Sequence, residues 1–306
     1  MTNATTAYSS ESVQRLLGNH LSYSNEVRID RENLLSSITD NSNITSSIPI
    51  LLDRSVSVEI RLDFLLRHPE SLHELEIEAK RLIQETPDDC IGHRLQALIS
   101  GVKGNFDESI SSQLQAMKIA SDGELWIGCK EDLANLFAIK YLLNHQMADA
   151  AESFRIFQDL IWLEEKEARH FYNAGRIAFG MSYVDESQSY DVEAMKLFKT
   201  AHDLNPQNPY YLKWLAHAYT KIDYLKEATE CNEKAADLFF NKLEEAKSGN
   251  EAWTYYYLAE DCIGSARYVP FKMEIDELER IDAKYSEIES RRELIFILYG
   301  PPPFER

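Results

Sequence analysis

A pattern of small and apolar residues recurs at a spacing of 34 within residues 194–238, and it limits what this chain can fold into. Within each copy the residues return every three or four positions, which is the spacing of one face of an α-helix. The first copy is Ala194, Phe198, Ala201 and Leu204, and the second is Ala228, Asn232, Ala235 and Leu238. Only one position changes from apolar to polar, from Phe198 in the first copy to Asn232 in the second. Such a period predicts helical units that stack on one another, because one unit alone cannot bury its apolar face.

A second pattern lies between the two copies. Leu212, Leu215, Ala216 and Tyr219 stand at fixed intervals directly after Asn208-Pro209. Together the two patterns resemble the tetratricopeptide repeat, in which W-x2-L-G-x2-Y is followed by A-x3-F. The resemblance implies an all-α chain, a right-handed superhelical solenoid of antiparallel helix pairs. Related first helices contain Ala134, Phe137 and Ala138; Phe171, Ala174 and Gly175; and Tyr255, Leu258 and Ala259.

Two intervals between equivalent residues are longer than the family period. Ala150 and Ala194 are 44 residues apart, and Leu212 and Tyr255 are 43 residues apart. We interpret the excess as extra helical turns or as loop insertions. Either change predicts irregular, lengthened repeats.

Three regions are predicted along the chain. Residues 1–55 are rich in Ser, Thr and Asn and form an N-terminal arm with short amphipathic helices, at Ser12–Leu21 and Arg31–Ile38. The arm either caps the repeats or binds a partner. Residues 56–299 form a tetratricopeptide-like domain of about six helix pairs, ending in a closing helix at 272–299. Residues 300–306 are a proline-rich tail that favours polyproline II structure.

The net charge of −19, from 51 acidic and 32 basic residues, bears on possible partners. A chain this acidic repels nucleic-acid phosphates and anionic membranes unless it segregates a basic patch. We therefore expect no nucleic-acid partner and no membrane partner. The charge either serves solubility alone or favours a basic partner.

Cysteine spacing and the first residues indicate the compartment. Cys90, Cys129, Cys231 and Cys262 lie far apart without a C-x-x-C pair, so neither a metal site nor a disulfide framework is predicted. Met1–Ala4 contains no basic or apolar signal-peptide region, and no apolar run reaches the roughly 18 residues of a membrane span. We expect a cytoplasmic protein with reduced thiols.

Motifs for catalysis are not found in the sequence. The nearest histidine pair, His68 and His73, is separated by five residues instead of four, and Pro69 lies between them. The sequence has no P-loop, no G-x-S-x-G and no G-x-G-x-x-G. We therefore predict a protein that is not an enzyme, with no catalytic residue, no cofactor and no metal.

The resemblance also implies which side chains line a concave groove, because the inner helix of each tetratricopeptide pair faces it. Carried over position by position, it implies basic and aromatic side chains that suit an acidic or carboxylate-bearing protein segment or peptide. The alternative is that these cations pair with nearby carboxylates and that the aromatic rings belong to the core. The residues of this predicted groove are Arg169, Tyr172, Arg176, Tyr210, Lys213, His217, Lys221, Trp253 and Tyr256, with Asp132, Asn135, Ile139 and Arg94 at equivalent earlier positions.

Three functions remain open at this stage. The first is a non-enzymatic scaffold or adaptor that binds a protein or peptide in the groove. The second is a regulatory sensor whose superhelix changes shape when a small peptide or anionic ligand binds. The third is a subunit of an enzyme complex. The sequence does not determine the partner or the oligomeric state.

Overall fold

The computed structural model describes residues 8–23, 44–185, 189–268, 275–299 and Pro302. Helix dominates these ranges, and no β-strand occurs within them. The residues divide into two compact units, Met1–Glu165 (unit 1) and Lys166–Arg306 (unit 2). The all-α prediction is therefore confirmed for the described part of the chain.

Unit 1 is a stack of consecutive helices with an N-terminal addition. Each helix from α4 to α7 packs on the one that follows it, and α3 packs on α5 and α7. Helix α1 packs on α3 and α7. The helices are α1 (Ser10–Tyr23), α2 (Ile48–Leu51), α3 (Val58–Arg67), α4 (Leu72–Glu85), α5 (Ile91–Val102), α6 (Phe106–Ala120), α7 (Gly123–Asn144) and α8 (Met147–Leu163), with 3-10 turns at Ile44–Ser47 and Pro69–Ser71.

Unit 2 continues the same plan. Each helix packs on the next along the chain, and α9 also contacts α11. Ring contacts between Tyr210 and Phe239 and between Tyr219 and Tyr224 show that α11 and α12 run antiparallel. The helices are α9 (Ala168–Met181), α10 (Ser189–Leu204), α11 (Pro209–Lys221), α12 (Leu225–Glu244), α13 (Gly249–Tyr268) and α14 (Ile275–Tyr299).

Local sequence explains where several helices begin. The Asn208 side chain accepts a hydrogen bond from the backbone N–H of Tyr210, and Pro209 occupies the first turn of α11. Asparagine and proline both favour these positions, because the first backbone N–H groups of a helix have no partner within it. Ser57 caps α3 in the same way, by accepting from Ile60 N–H.

Small residues set the distance between the helices of a pair. A Cβ atom placed on Gly175 of α9 would lie 2.7 Å from Cε1 of Phe198 in α10. Phe198 is fully buried, as are Ala174 and Ala194 on the facing surfaces. Gly175 and Phe198 thus make the close contact that the repeat pattern predicts, and the helices form the predicted tetratricopeptide-like pairs.

Helix length accounts for one of the two long intervals. Helix α12 contains 20 residues, against 13 in α11, and it lies wholly within the interval from Leu212 to Tyr255. The excess in this interval is therefore made of helical turns. In the interval from Ala150 to Ala194, α8 has 17 residues, and residues 186–188 lie outside the described ranges.

The described part of the N-terminal arm packs on unit 1. Val13 and Leu17 of α1 and Leu51 of α2 are almost fully buried. The backbone N–H of Tyr8 donates to the carbonyl of Gly104 at 3.0 Å. Gly104 has φ +76°, and a Cβ atom there would overlap the carbonyl of Tyr8, so glycine is needed at this turn. The predicted helix at Arg31–Ile38 lies outside the described residues.

Helix α14 is buried along one stripe and exposed at its end. Ile281, Ile288 and Ile295 are buried at intervals of seven residues. The last turns expose large apolar side chains, namely Leu294, Phe296, Ile297, Leu298 and Tyr299. Residues 272–274 of the predicted closing helix, and the predicted tail except for buried Pro302, lie outside the described ranges. Among the described helices, we find none with the length and apolar character needed to cross a membrane.

We expect Gly175→Ala to destabilise unit 2, because the added methyl group would meet buried Phe198. Overpacking of this kind costs about 1–3 kcal/mol. Gly264→Ala, also within a helix of unit 2, is the matched control, because no atom lies within 4 Å of the added Cβ. That control should stabilise by up to about 1 kcal/mol through helix propensity. Urea unfolding measures both, and equal midpoints for the two variants would contradict the close contact.

Candidate functional site

The inner helices of unit 2 lie side by side. The rings of Tyr172 in α9 and Tyr211 in α11 are 5.0 Å apart between centroids. The Lys213 ammonium of α11 lies 2.6 Å from Asp261 Oδ2 of α13. The predicted groove residues therefore stand on three neighbouring helices, α9, α11 and α13. We call the described part of this surface the inner face.

Arg176 is held between two aromatic rings. Its guanidinium carbon lies 5.7 Å from the ring centroid of Tyr172 and 5.9 Å from that of Trp214. Each contact is a cation–π interaction, which is worth about 0.5–2 kcal/mol and limits the orientations of the guanidinium. Sequence analysis did not single out Trp214, although it lies next to predicted Lys213.

Lys213 has a carboxylate partner. Its side chain is 13% exposed, whereas the Asp261 side chain that pairs with it is 56% exposed. Such a partly hydrated pair contributes about 0–1 kcal/mol to stability. The pair therefore holds the Lys213 ammonium only weakly.

Lys221 makes more polar and ring contacts than Lys213. Its ammonium lies 3.0 Å from Asp191 Oδ1 and 3.6 Å from the centroid of the Tyr183 ring, and it donates a hydrogen bond to Ser182 Oγ. Asp191 is itself buried. Lys221 thus joins the end of α11 to the chain that follows α9. Lys213 and Lys221 thus both pair with nearby carboxylates, as the alternative interpretation of the sequence expects.

His217 adds no positive charge at neutral pH. Its ring packs edge-on against Trp214, with 5.9 Å between centroids. Burial lowers the pKa of His217, and the nearby Lys213 charge lowers it further. Both effects favour the neutral imidazole. The positive charge of the predicted set therefore comes from Arg169, Arg176, Lys213 and Lys221.

Arg169 stands at the edge of this set. It is the second residue of α9 and is half-buried. Its backbone N–H donates to the Glu167 carboxylate at 3.3 Å, which caps the helix. Arg169 is therefore placed by the start of α9.

The predicted aromatic residues lie in the core. Trp253 and Tyr256 are each 1% exposed, and their rings meet edge-on at 5.8 Å. Burial raises the pKa of Tyr256 to about 12. Tyr172 and Tyr210 are also buried. These rings support the inner face from below and offer it little contact area.

At the equivalent positions of unit 1, the inner helices carry a buried ionic cluster. Asp132 Oδ2 lies 3.0 Å from the guanidinium of Arg94 and 3.0 Å from that of Arg61. All three side chains are at most 7% exposed. Sequence analysis placed Arg94 and Asp132 on the groove but did not identify Arg61, which comes from α3.

Backbone carbonyl groups complete this cluster. Arg94 donates to the carbonyl of Leu52 at 2.8 Å, and Arg61 donates to those of Asp53 and Val56 at 2.8 and 2.6 Å. The segment between α2 and α3 therefore covers these groove positions in unit 1.

A second arginine ties the same segment down. Arg54 pairs with Glu131 at 3.0 Å and with Glu164 at 2.8 Å. These charges lie within unit 1 and about a quarter or less of each side chain is exposed. Glu131 and Asp132 are neighbours in α7, and both help to hold the segment between α2 and α3. Glu131 pairs with Arg54 of that segment, and Asp132 pairs with Arg61 and Arg94, which donate to its carbonyl groups.

The comparisons with known proteins identify no family. No family model matches the chain, and no curated protein matches it. Among solved structures, BtubC from P. vanneervenii shares 18% identity at a TM-score of 0.49, covering 78% of this chain and 94% of its own. YrrB, described as a TPR protein with an unusual peptide-binding site, shares 13% identity at a TM-score of 0.42, covering 67% and 97%. MamA from Desulfovibrio magneticus RS-1 shares 14% identity at a TM-score of 0.47, covering 59% and 92%. At these scores, the likenesses do not bear on the function of this chain.

We expect Asp132→Asn to destabilise unit 1 strongly, because it leaves two buried guanidinium groups without their shared carboxylate. Removing one partner of a buried ion pair costs about 3–5 kcal/mol. Asp159→Asn is the matched control, since Asp159 also bridges two cations, Lys130 and Arg155, but is 44% exposed. The control should cost about 1 kcal/mol or less. Denaturant unfolding compares them, and equal losses would argue against the importance of the buried cluster.

Proposed function

We propose that the inner face of unit 2 binds an acidic or carboxylate-bearing segment of a protein or peptide, and that the protein acts as a non-enzymatic scaffold. The observation that carries the proposal is the placement of Arg176 against Tyr172 and Trp214, on the helix beside Lys213. A guanidinium with restricted orientation loses less entropy when it forms paired hydrogen bonds with a carboxylate.

The electrostatics of Lys213 support the same proposal. Its partner Asp261 is exposed, so an incoming carboxylate displaces a weakly bound competitor. Lys221 differs, because its ammonium contacts buried Asp191, the Ser182 hydroxyl and the ring of Tyr183. We therefore assign ligand contact to Arg176 and Lys213, with Arg169 at the edge, and a structural role to Lys221.

Arg176 and Lys213 are basic residues in a chain that is acidic overall. A chain of net charge −19 repels acidic segments at long range. Binding therefore depends on direct contact at the inner face, where Arg176 and Lys213 stand on adjacent helices. Moderate salt screens the long-range repulsion more than the short charge-assisted contacts.

We expect the charge reversal Arg176→Glu with Lys213→Glu to weaken binding of a fluorescent oligoglutamate peptide about tenfold or more. The physical reason is that each lost charge-assisted hydrogen bond contributes about 1.5–3 kcal/mol and the new carboxylates repel the peptide. Fluorescence anisotropy with the full chain gives the affinity. Co-purification followed by mass spectrometry then tests whether natural partners depend on the same residues.

The matched control reverses the same charge on the outer helix of a pair. Lys196→Glu with Lys199→Glu changes two exposed lysines of α10 and alters net charge equally. Binding by this control should stay close to that of the unchanged protein. The neutral pair Arg176→Gln with Lys213→Gln separates lost attraction from added repulsion. Equal weakening by inner and outer variants, with helix content unchanged, would overturn the assignment of the inner face.

A further inference from the structure

Two cysteines that are distant in sequence meet in the core of unit 1. Cys90 immediately precedes α5, and Cys129 lies within α7. Both belong to one buried cluster, and their side chains interact electrostatically. Cys90 is 3% exposed and Cys129 is fully buried, and both pack against Ala116 of α6. Sequence spacing did not predict the pair, because it depends on how α5, α6 and α7 pack.

The charges around the pair make the two thiols unequal. Hydrogen bonding from Cys129 and the nearby Arg94 guanidinium lower the pKa of Cys90 to about 7, against the effects of burial and Asp89. The same hydrogen bond, together with burial, raises the pKa of Cys129. Asp132 and Asp89 are the acidic groups that face the site, and Arg94 is the basic one. The interaction between the two thiols and the Arg94 charge therefore favour deprotonation of Cys90 over that of Cys129.

The cysteines of unit 2 are different. Burial is the main cause that raises the pKa of Cys231 to about 11 and that of Cys262 to about 12. A thiol with a raised pKa is almost entirely protonated at neutral pH, and the protonated form is a poor nucleophile. Cys231 and Cys262 can therefore serve as internal controls for the reactivity of Cys90.

We propose that Cys90 and Cys129 form a thiol–disulfide exchange site, in which Cys90 attacks a small disulfide of the glutathione class and Cys129 resolves the product. In the first step, the Cys90 thiolate bonds to one sulfur of glutathione disulfide, and the other glutathione leaves as a thiolate. Cys129 then loses its proton to solvent and attacks the Cys90 sulfur, and the second glutathione leaves. The protein loses two electrons and two protons, and one glutathione disulfide is reduced to two glutathione molecules.

Access to Cys90 requires a local opening. Exposed Pro87 and Asp88, followed by Asp89, precede Cys90 in the turn between α4 and α5. Among the described hydrogen bonds, Asp89 N–H donates to the Thr86 carbonyl, and Asp89 Oδ1 accepts from Ile91 N–H. Short surface turns open at low cost compared with global unfolding. Opening here uncovers Cys90 before Cys129, which fits their order in the reaction.

The test treats the reduced full-length protein with glutathione disulfide at neutral pH without denaturant, and maps cysteines by mass spectrometry after blocking remaining thiols. We expect a Cys90–Cys129 disulfide while Cys231 and Cys262 stay reduced. Cys129→Ser should trap glutathione on Cys90, because the resolving thiol is gone. Cys90→Ser should abolish both products. Cys231→Ser with Cys262→Ser should react like the unchanged chain, and circular dichroism checks that each variant is folded.

An independent measurement uses iodoacetamide, which requires no second thiol. Cys90 should be alkylated at least about tenfold faster than Cys231 at neutral pH, because its thiolate fraction is larger. Equal rates at Cys90 and Cys231, or reaction of Cys90 only after denaturation, would overturn the proposal. So would a Cys129→Ser protein that carries no glutathione on Cys90.

Discussion

The distance between paired helices is the constraint on which both the core and the inner face depend. Gly175 lets Phe198 approach the backbone of α9. Phe198 in turn lies 5.7 Å from Trp214, and Trp214 lies under Arg176. Because Gly175 has no side chain, Phe198 and Trp214 can take these positions, and they in turn fix the place of the Arg176 guanidinium, which we assign to ligand contact. Packing of this density transmits a displacement, because interiors have few voids to absorb it.

The two units use the same register positions for different purposes. In unit 2, Arg176 and Lys213 stand on the inner face with rings beneath them. In unit 1, Arg94 and Asp132 are buried with Arg61 under the chain's own carbonyl groups. Desolvating such charges is costly unless hydrogen-bond acceptors compensate, and among the described atoms Arg94 Nε has none. The backbone of residues 52–56 supplies acceptors, so this segment is part of the fold of unit 1.

Sequence reasoning succeeded where the information is local and stopped where it is not. Pro209, Asn208 and Gly175 act on neighbouring residues or on the next helix, so helix starts and pairing could be predicted. The burial of Trp253 and Tyr256 depends on the helices that pack on both sides of α13. A repeat register carried along the sequence does not show which side chains those helices cover. The partners Asp191 and Asp261, and the meeting of Cys90 with Cys129, likewise arise from packing between separate elements.

The buried stripe of α14 has a geometric consequence. Ile281, Ile288 and Ile295 follow a strict interval of seven residues, whereas a straight α-helix drifts by about 20° over each such interval. Keeping all three isoleucines on one buried seam favours a left-handed coil of α14 about the helices that it packs on, as in a coiled coil. Inserting one residue between Ile281 and Ile288 would turn the following part of α14 by about 100°. Ile295 would then leave the seam, so the helix tolerates substitution far better than a change in length.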